Sequence, residues 1–317
     1  MKGQTPLSEV SDLEPLSAGD LQAIAAHALC EDLGGALELS ADLTTTALVA
    51  AEGQASGTIL SRQNGVVVGL DLARVVFRQL DDQVHCHSAG IEDGSNVEDG
   101  APLLLLHGSA AALLTGERTA LNLLQHLSGI ATVTRAYVTA VAHTSARITD
   151  TRKTTPGLRQ LEKYAVRCGG GVSHRCGLHD AILIKENHAA LAGGVADAVR
   201  RAREADLPQA SASSALTVMV EATNLEEIGA LLSLAADIQP DRILLDNMTR
   251  EEMTKAVDLI RTQTRVQARV QGAIEIEATG GITLANVRGV AETGVDLISI
   301  GALTHSAPAL DMSLLLD

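Results

Sequence analysis

From about residue 146 the chain alternates short apolar runs with longer amphipathic stretches, and this rhythm restricts the fold more than any other feature. "ARITDT" (146–151), "AILIK" (181–185), "LTVMVEA" (216–222), "RILLD" (242–246), "AIEIEAT" (273–279) and "LISIG" (297–301) have the length and residue types of buried strands. Between them, "PGLRQLEKYAVRCGG", "GVADAVRRAREA", "NLEEIGALLSLAA", "REEMTKAVDLIRTQ" and "TLANVRGVAET" place apolar residues at helical spacing. Regular βα alternation implies a parallel sheet covered by helices. Six strands fall short of eight, so the expectation is an α/β fold of the incomplete, open TIM-like barrel type.

The first half follows a different grammar. "SAGDLQAIAAHALCEDLG" predicts a helix capped at Ser17 or Asp20. Short strands follow in "ASGTILSRQNGVVVGL", "DQVHCHSAG" and "APLLLLHG", interrupted by the helical "DLARVVFRQL", which makes an α+β segment. "AALLTGERTALNLLQHLSGIATVTRAYVTAVAH" reads as long helix with a break at Ser128-Gly129. Residues 1–13 are polar and read as loose, and the Ser/Ala-rich "PQASASSA" (208–215) as a surface connection.

Composition removes several functions. A net charge of −15 argues against nucleic acid and anionic membranes as partners, and only Phe77, Tyr137 and Tyr164 are aromatic, too few for base-stacking platforms. No run is long enough to span a bilayer, and no targeting peptide opens the chain, so a cytoplasmic protein is expected. Cys30, Cys86, Cys168 and Cys176 form no CxxC pair, and a zinc reading of Cys168, His174 and Cys176 lacks a fourth ligand.

Chemistry is expected at the carboxyl ends of the strands. These deliver Asp150, Thr151, Arg152 and Lys153, then Lys185, Glu221, Asp246 with Asn247, Thr279-Gly280-Gly281, and Gly301. Residues 150–188 carry a net of +3 within this acidic chain, a concentration suited to a small polyanion. Arg offers planar forks to carboxylate or phosphate, and Lys a compact charge. "GGGVSHRCG" adds three glycines ahead of His174 and Arg175, and "EATGGIT" and "ISIGAL" put glycine between a strand and a helix start, where backbone N–H groups can hold a phosphate. Glu221 and Asp246 suit Mg²⁺, which binds through one or two carboxylates plus substrate phosphates. Read singly, each carboxylate is equally a cap or a surface acid, His174 a structural histidine, and Arg118 a local ion pair with Glu117.

Together, "DTRKTTPGLRQLEKYAV", "GGGVSHRCGLHDAILIKENH", "LLDNM", "EATGGIT" and "SIGALTHSAPALDMSL", with "EDLG", "DLTTTAL" and "TGERTALNLLQHLSGIAT" upstream, resemble the quinolinate phosphoribosyltransferases from about residue 28 to the end. The resemblance implies an amino-terminal α/β sandwich over 14–121, a barrel over 122–303, and a carboxyl segment, 304–317, that rejoins the first domain. It implies a homodimer with a shared active site. The implied reaction joins quinolinate to 5-phosphoribosyl 1-pyrophosphate, giving nicotinate mononucleotide, pyrophosphate and CO2 for NAD biosynthesis.

Carried across by position, Arg152, His174, Arg175 and Lys185 match the quinolinate cluster, with Thr151 beside them, and Arg118 matches an arginine supplied across the dimer. Lys153, Lys185, Glu221 and Asp246 match positions facing the phosphoribosyl donor and its Mg²⁺. Lys153, Glu221 and Asp246 carry the implied catalytic roles. Thr279, Gly280, Gly281 and Gly301 fall where the 5′-phosphate would sit. Ser173 stands where Asn is usual, Met219 and Thr223 replace acids flanking Glu221, and about four extra residues lie near "SLAADIQP". The rivals are a related phosphoribosyltransferase with another substrate and a catalytically silent phosphate-binding barrel.

Overall fold

A computed structural model describes residues 17–207, 216–267 and 273–317. The loose amino terminus expected over 1–13 and the connection at 208–215 lie outside them. In chain order the elements begin with α1 (Ala18–Asp32), a 3-10 turn (Leu39–Ala41), α2 (Leu43–Leu48), β1 (Gln54–Ser61), β2 (Gly65–Val66) and α3 (Leu70–Leu80). Next come β3 (His85–Ser88), β4 (Asn96–Val97), β5 (Pro102–Ser109), α4 (Ala110–Val141), β6 (Arg147–Thr149) and α5 (Arg159–Cys168). Then follow β7 (Ile182–Ile184), α6 (Glu186–Ala192), α7 (Val195–Glu204), β8 (Val218–Ala222), α8 (Leu225–Leu232) and β9 (Arg242–Asp246). The last are α9 (Arg250–Gln267), β10 (Glu275–Thr279), α10 (Val287–Ala291), β11 (Leu297–Ser299), α11 (Ala302–His305) and β12 (Met312–Leu316). No helix among the described residues is long and apolar enough to cross a membrane.

The chain groups into two compact units. One takes the residues through Arg135 together with Thr155–Gly170 and Leu303–Asp317; the other takes Ala136–Thr154 and Gly171–Ala302.

In the first unit, β12, β1, β5 and β3 form an antiparallel sheet in that order. Alternation in β1 and β12 buries Ile59, Met312 and Leu314 while their neighbours face outward, the pattern of a sheet covered on one side. Ser17 caps α1, its hydroxyl accepting from the N–H of Asp20 at 3.1 Å. The break expected in the long helix does not occur: α4 runs unbroken through Ser128-Gly129. Both residues serve packing instead. The Ser128 hydroxyl accepts from the N–H of Val68 at 2.9 Å, and a Cβ at Gly129 would lie 2.1 Å from the Pro308 carbonyl oxygen.

The six strands expected in the second half all form, and they make one parallel sheet ordered β6-β11-β10-β9-β8-β7. Strands consecutive in the chain are neighbours from β7 to β11, and β11 returns to β6, but β6 does not pair with β7. The barrel is therefore open between its first and second strands. The cause lies in the segment that follows β6: residues 155–170, read as one of the covering helices, belong to the first unit. There Arg135 donates to the carbonyls of Gly169 and Cys168 at 2.9 and 3.1 Å. Val172 then forms a parallel bridge to Thr149, so the chain re-enters the second unit alongside β6. Val218, Val220, Ile243, Leu245, Ile276 and Ile298 are fully buried on these strands, as a sheet covered on both faces requires.

Candidate active site

A cavity of about 600 Å³ opens in the second unit at the carboxyl ends of its strands. Its lining contains Thr151, Arg152, Lys153, His174, Arg175, Lys185, Glu221, Asp246, Thr279, Gly280 and Gly281, so most of the residues singled out from sequence come together. Gly301 follows β11 and is not among the lining residues. Arg118 belongs to the first unit, on α4, where its side chain is 61% exposed and 3.6 Å from Glu117.

Strand order sorts the charges. Arg152 and Lys153 follow β6, Arg175 follows the bridge beside β6, and Lys185 follows β7. All four cations thus come from the strands that flank the open seam. The carboxylates Glu221, Asp246 and Glu277 come from β8, β9 and β10, the continuous middle of the sheet. Parallel register pairs Asp246 with Thr279, setting both at one level of the rim.

Local geometry explains how each side chain is held. The Thr151 hydroxyl accepts from the N–H of Lys153 at 3.0 Å, a turn that ends the extended run after β6. The N–H of Lys185 donates to His188 Nδ1 at 3.0 Å as α6 starts. After β9, Asn247 adopts φ +54°, a left-handed conformation that non-glycine residues seldom take, and its N–H donates to the Thr279 carbonyl at 3.0 Å. Gly280, at φ +87°, is required there because a Cβ would meet the Asn247 side-chain oxygen at 2.3 Å. The turn at Gly280-Gly281 does not lead directly into a helix, contrary to the reading of "EATGGIT": α10 begins only at Val287, and Asn286 donates to the Gly281 carbonyl across the intervening loop.

The electrostatics are those of a site prepared for anions. Arg152 has its Nε buried without a hydrogen-bond partner. Burial, and then the charge of Arg152, hold the Arg175 guanidinium below its ordinary pKa. Two guanidiniums that repel each other in a partly desolvated cavity gain from an anion placed between them. Lys185 Nζ donates to Glu221 Oε1 at 2.8 Å. Burial still lifts the Glu221 carboxyl above its usual range, helped by the negative charges of Asp246 and Glu186 and opposed by Lys185.

A family model described as the C-terminal domain of quinolinate phosphoribosyl transferase matches residues 130–315, and that of the N-terminal domain matches residues 42–128. The chain belongs to the quinolinate phosphoribosyl transferase family. It is 44% identical over 295 residues to the nicotinate-nucleotide pyrophosphorylase (carboxylating) of Mycobacterium leprae, covering 91% of this chain and 94% of that one. The nicotinate-nucleotide pyrophosphorylase structure from Francisella tularensis superposes with a TM-score of 0.83 at 34% identity, covering 96% and 99% of the two chains. That of NadC from Streptococcus pyogenes gives 0.83 at 37% identity, covering 96% and 98%.

Sequence reasoning missed Glu186, Glu277 and Ser299, which also line this family member's cavity. Glu277 sits in "AIEIEAT" as a charged residue inside a run destined for a doubly covered strand, and that mismatch was the available signal. Of the substituted flanking positions, Met219 is buried with Ala181 and Leu244 in an apolar cluster, with Leu183 against it. Leu183 and Leu244 also line the cavity, so an apolar floor underlies the charged rim. Thr223 is exposed, and both its N–H and its hydroxyl donate to Glu227.

Proposed function

We propose that this protein joins quinolinate to 5-phosphoribosyl 1-pyrophosphate and releases nicotinate mononucleotide, pyrophosphate and CO2. The observation that carries this reading is the sorted cavity: Arg152, Lys153, Arg175 and Lys185 from the flanks of the seam face Glu221 and Asp246 from the middle strands. A dicarboxylate needs paired cations, and a phosphoribosyl donor needs both cations and metal-binding carboxylates.

In this reading Arg152 and Arg175 fork the two carboxylates of the pyridine dicarboxylate, over the apolar floor of Leu183 and Leu244. Lys153 and Lys185 meet the phosphates of the donor. The donor set fits Mg²⁺: two carboxylates on neighbouring strands suit an ion that completes its shell with water and substrate oxygens. Glu221 and Asp246 would hold it, and when bound it neutralises charge on the pyrophosphate. The ring nitrogen attacks the ribose C1 as the C1–O bond to pyrophosphate breaks, and the carboxylates oppose the positive charge that develops on the sugar. The C2 carboxylate then leaves as CO2, the electron pair stays on C2 beside the cationic ring nitrogen, and C2 takes up a proton from water to complete nicotinate mononucleotide; the guanidiniums position the carboxylate until it departs. Gly281, where a Cβ would meet nothing within 4 Å, leaves room for a 5′-phosphate, and Gly280 lets the turn close against Asn247.

The active unit in this reading is a homodimer, with Arg118 of a second copy completing the site; its exposed position on α4 leaves it available. Four free thiols accord with a reducing cytoplasm. The test is turnover of quinolinate, the donor and Mg²⁺ to nicotinate mononucleotide, with nicotinate as control. Arg152→Ala and Arg175→Ala should each raise the quinolinate KM at least ~10-fold, the loss expected when a charged hydrogen bond of roughly 1.5–3 kcal/mol is removed. Unchanged kinetics in both variants would overturn the assignment.

A further inference from the structure

Among the acidic residues lining the cavity, Glu277 is the fully buried one, at 0% exposure. Its Oε2 accepts from Arg242 Nη1 at 3.0 Å and lies 3.4 Å from His174 Nε2, while its Oε1 is buried with no hydrogen-bond partner. Leaving a carboxylate oxygen unsatisfied in the interior destabilises a fold, so packing alone does not account for a charge here.

The ring of His174 shows what the charge does. The N–H of Arg175 donates to His174 Nδ1 at 2.8 Å. A nitrogen that accepts an N–H carries no proton, so the neutral ring bears its hydrogen on Nε2, the atom that faces Glu277. The N–H of His174 is held in turn by Asp150 Oδ1 at 2.9 Å. Behind Glu277, Arg242 also donates to Glu275 through Nε and Nη2, and Glu275 accepts from Arg147, so the carboxylate is anchored to a ladder across β9, β10 and β6.

We propose that Glu277 is a positioning residue: it fixes the tautomer and orientation of His174, which holds the backbone at Arg175 and so places the Arg175 guanidinium for the substrate carboxylate. His174 then acts on the substrate through Arg175 rather than through a ring nitrogen. The carboxyl of Glu277 stays ionised for this task. Burial pushes its pKa up, but His174, Ser299 and Arg242 outweigh that and hold it below the usual range.

The inference rests on the function proposed above for its kinetic readout, and its spectroscopic readout is independent of that function. Glu277→Leu, Glu277→Asp and Glu277→Gln are prepared in the full chain, and ¹⁵N spectra of histidine-labelled protein, assigned with His174→Asn, report the tautomer. Native protein should show His174 protonated on Nε2 alone. Glu277→Leu should give mixed tautomers and raise the quinolinate KM ~10-fold, with the donor KM and kcat within ~3-fold. Glu277→Gln, whose amide oxygen still accepts from Nε2–H, should restore the single tautomer and most of the affinity. Should Glu277→Leu not fold, Glu277→Asp, which withdraws the carboxylate by one methylene, should show the same mixed tautomers. An unaltered His174 spectrum in the folded Leu or Asp variant overturns the proposal, as does an equal fall in every kinetic constant. If native protein does not turn over quinolinate, the proposed reaction fails while the tautomer result still decides the role of Glu277.

Discussion

Cys176 is exposed in the turn ahead of β7, whereas Cys168 is buried at the end of α5, and their chemistry should differ accordingly. Burial first, then the charge of Asp93, push the Cys168 thiol up to about 12, and burial lifts Cys86 as well. At pH 8 a disulfide reagent should therefore label the exposed Cys176 first, the half-buried Cys30 more slowly and the buried Cys86 and Cys168 last, and Cys176→Ser should abolish the fastest phase; rapid labelling of Cys168 would contradict the packing described. Asp93 offers a test of linkage. Its carboxylate accepts from the N–H groups of Gly69 and Leu70, yet burial holds its pKa above the ordinary aspartate range. The native state then binds this proton more tightly than the unfolded chain, so the contribution of Asp93 is full below the ordinary aspartate pKa and is lost as pH rises through the raised value. Asp93→Asn keeps an acceptor for both N–H groups and should remove that loss, seen as a flatter dependence of the urea midpoint on pH. At this scale the cations were legible in "TDTRKTTPG" because adjacent Arg and Lys are conspicuous in an acidic chain. Glu277 was not, because its meaning depends on a histidine about a hundred residues away in sequence.

Among the elements, α4 departs furthest from its sequence reading. Ser-Gly inside a helical pattern is a fair local signal for a break, since glycine costs about 1 kcal/mol there relative to alanine. The structure uses the missing side chain to let the Pro308 backbone approach. Gly129→Ala should therefore be destabilising by about 1–3 kcal/mol in urea unfolding, despite alanine's better helix propensity, because the overpacked Cβ cannot be accommodated without backbone movement. A gain in stability would show that Pro308 yields freely. The six parallel strands were readable because apolar runs bounded by turn residues are local signals. The short β12 was not, since "MSLLL" acquires its role only by pairing antiparallel with β1 some 250 residues earlier.

At the level of the whole molecule, the open seam between β6 and β7 decides where charge collects. Cations sit on both strands that border it, and the lining carboxylates on the strands that remain continuous, apart from Glu186 at the start of α6. If a second copy supplies Arg118, then Arg118→Ala and Glu221→Ala proteins, each inactive alone, should regain activity on mixing and subunit exchange. In a randomised dimer population about a quarter of the native sites should return, since half the dimers are mixed and each of those has one intact site. No recovery under exchange would place Arg118 outside the site. By itself the sequence determined the element types, the parallel sheet and the set of polar groups at the strand ends, because periodicity and residue chemistry are properties of neighbours along the chain. Only the tertiary structure decided which strands flank the opening, that α4 stays whole, and that Glu277 stands behind His174. Those outcomes depend on strand pairing and burial between segments far apart in sequence, where no local pattern carries the information.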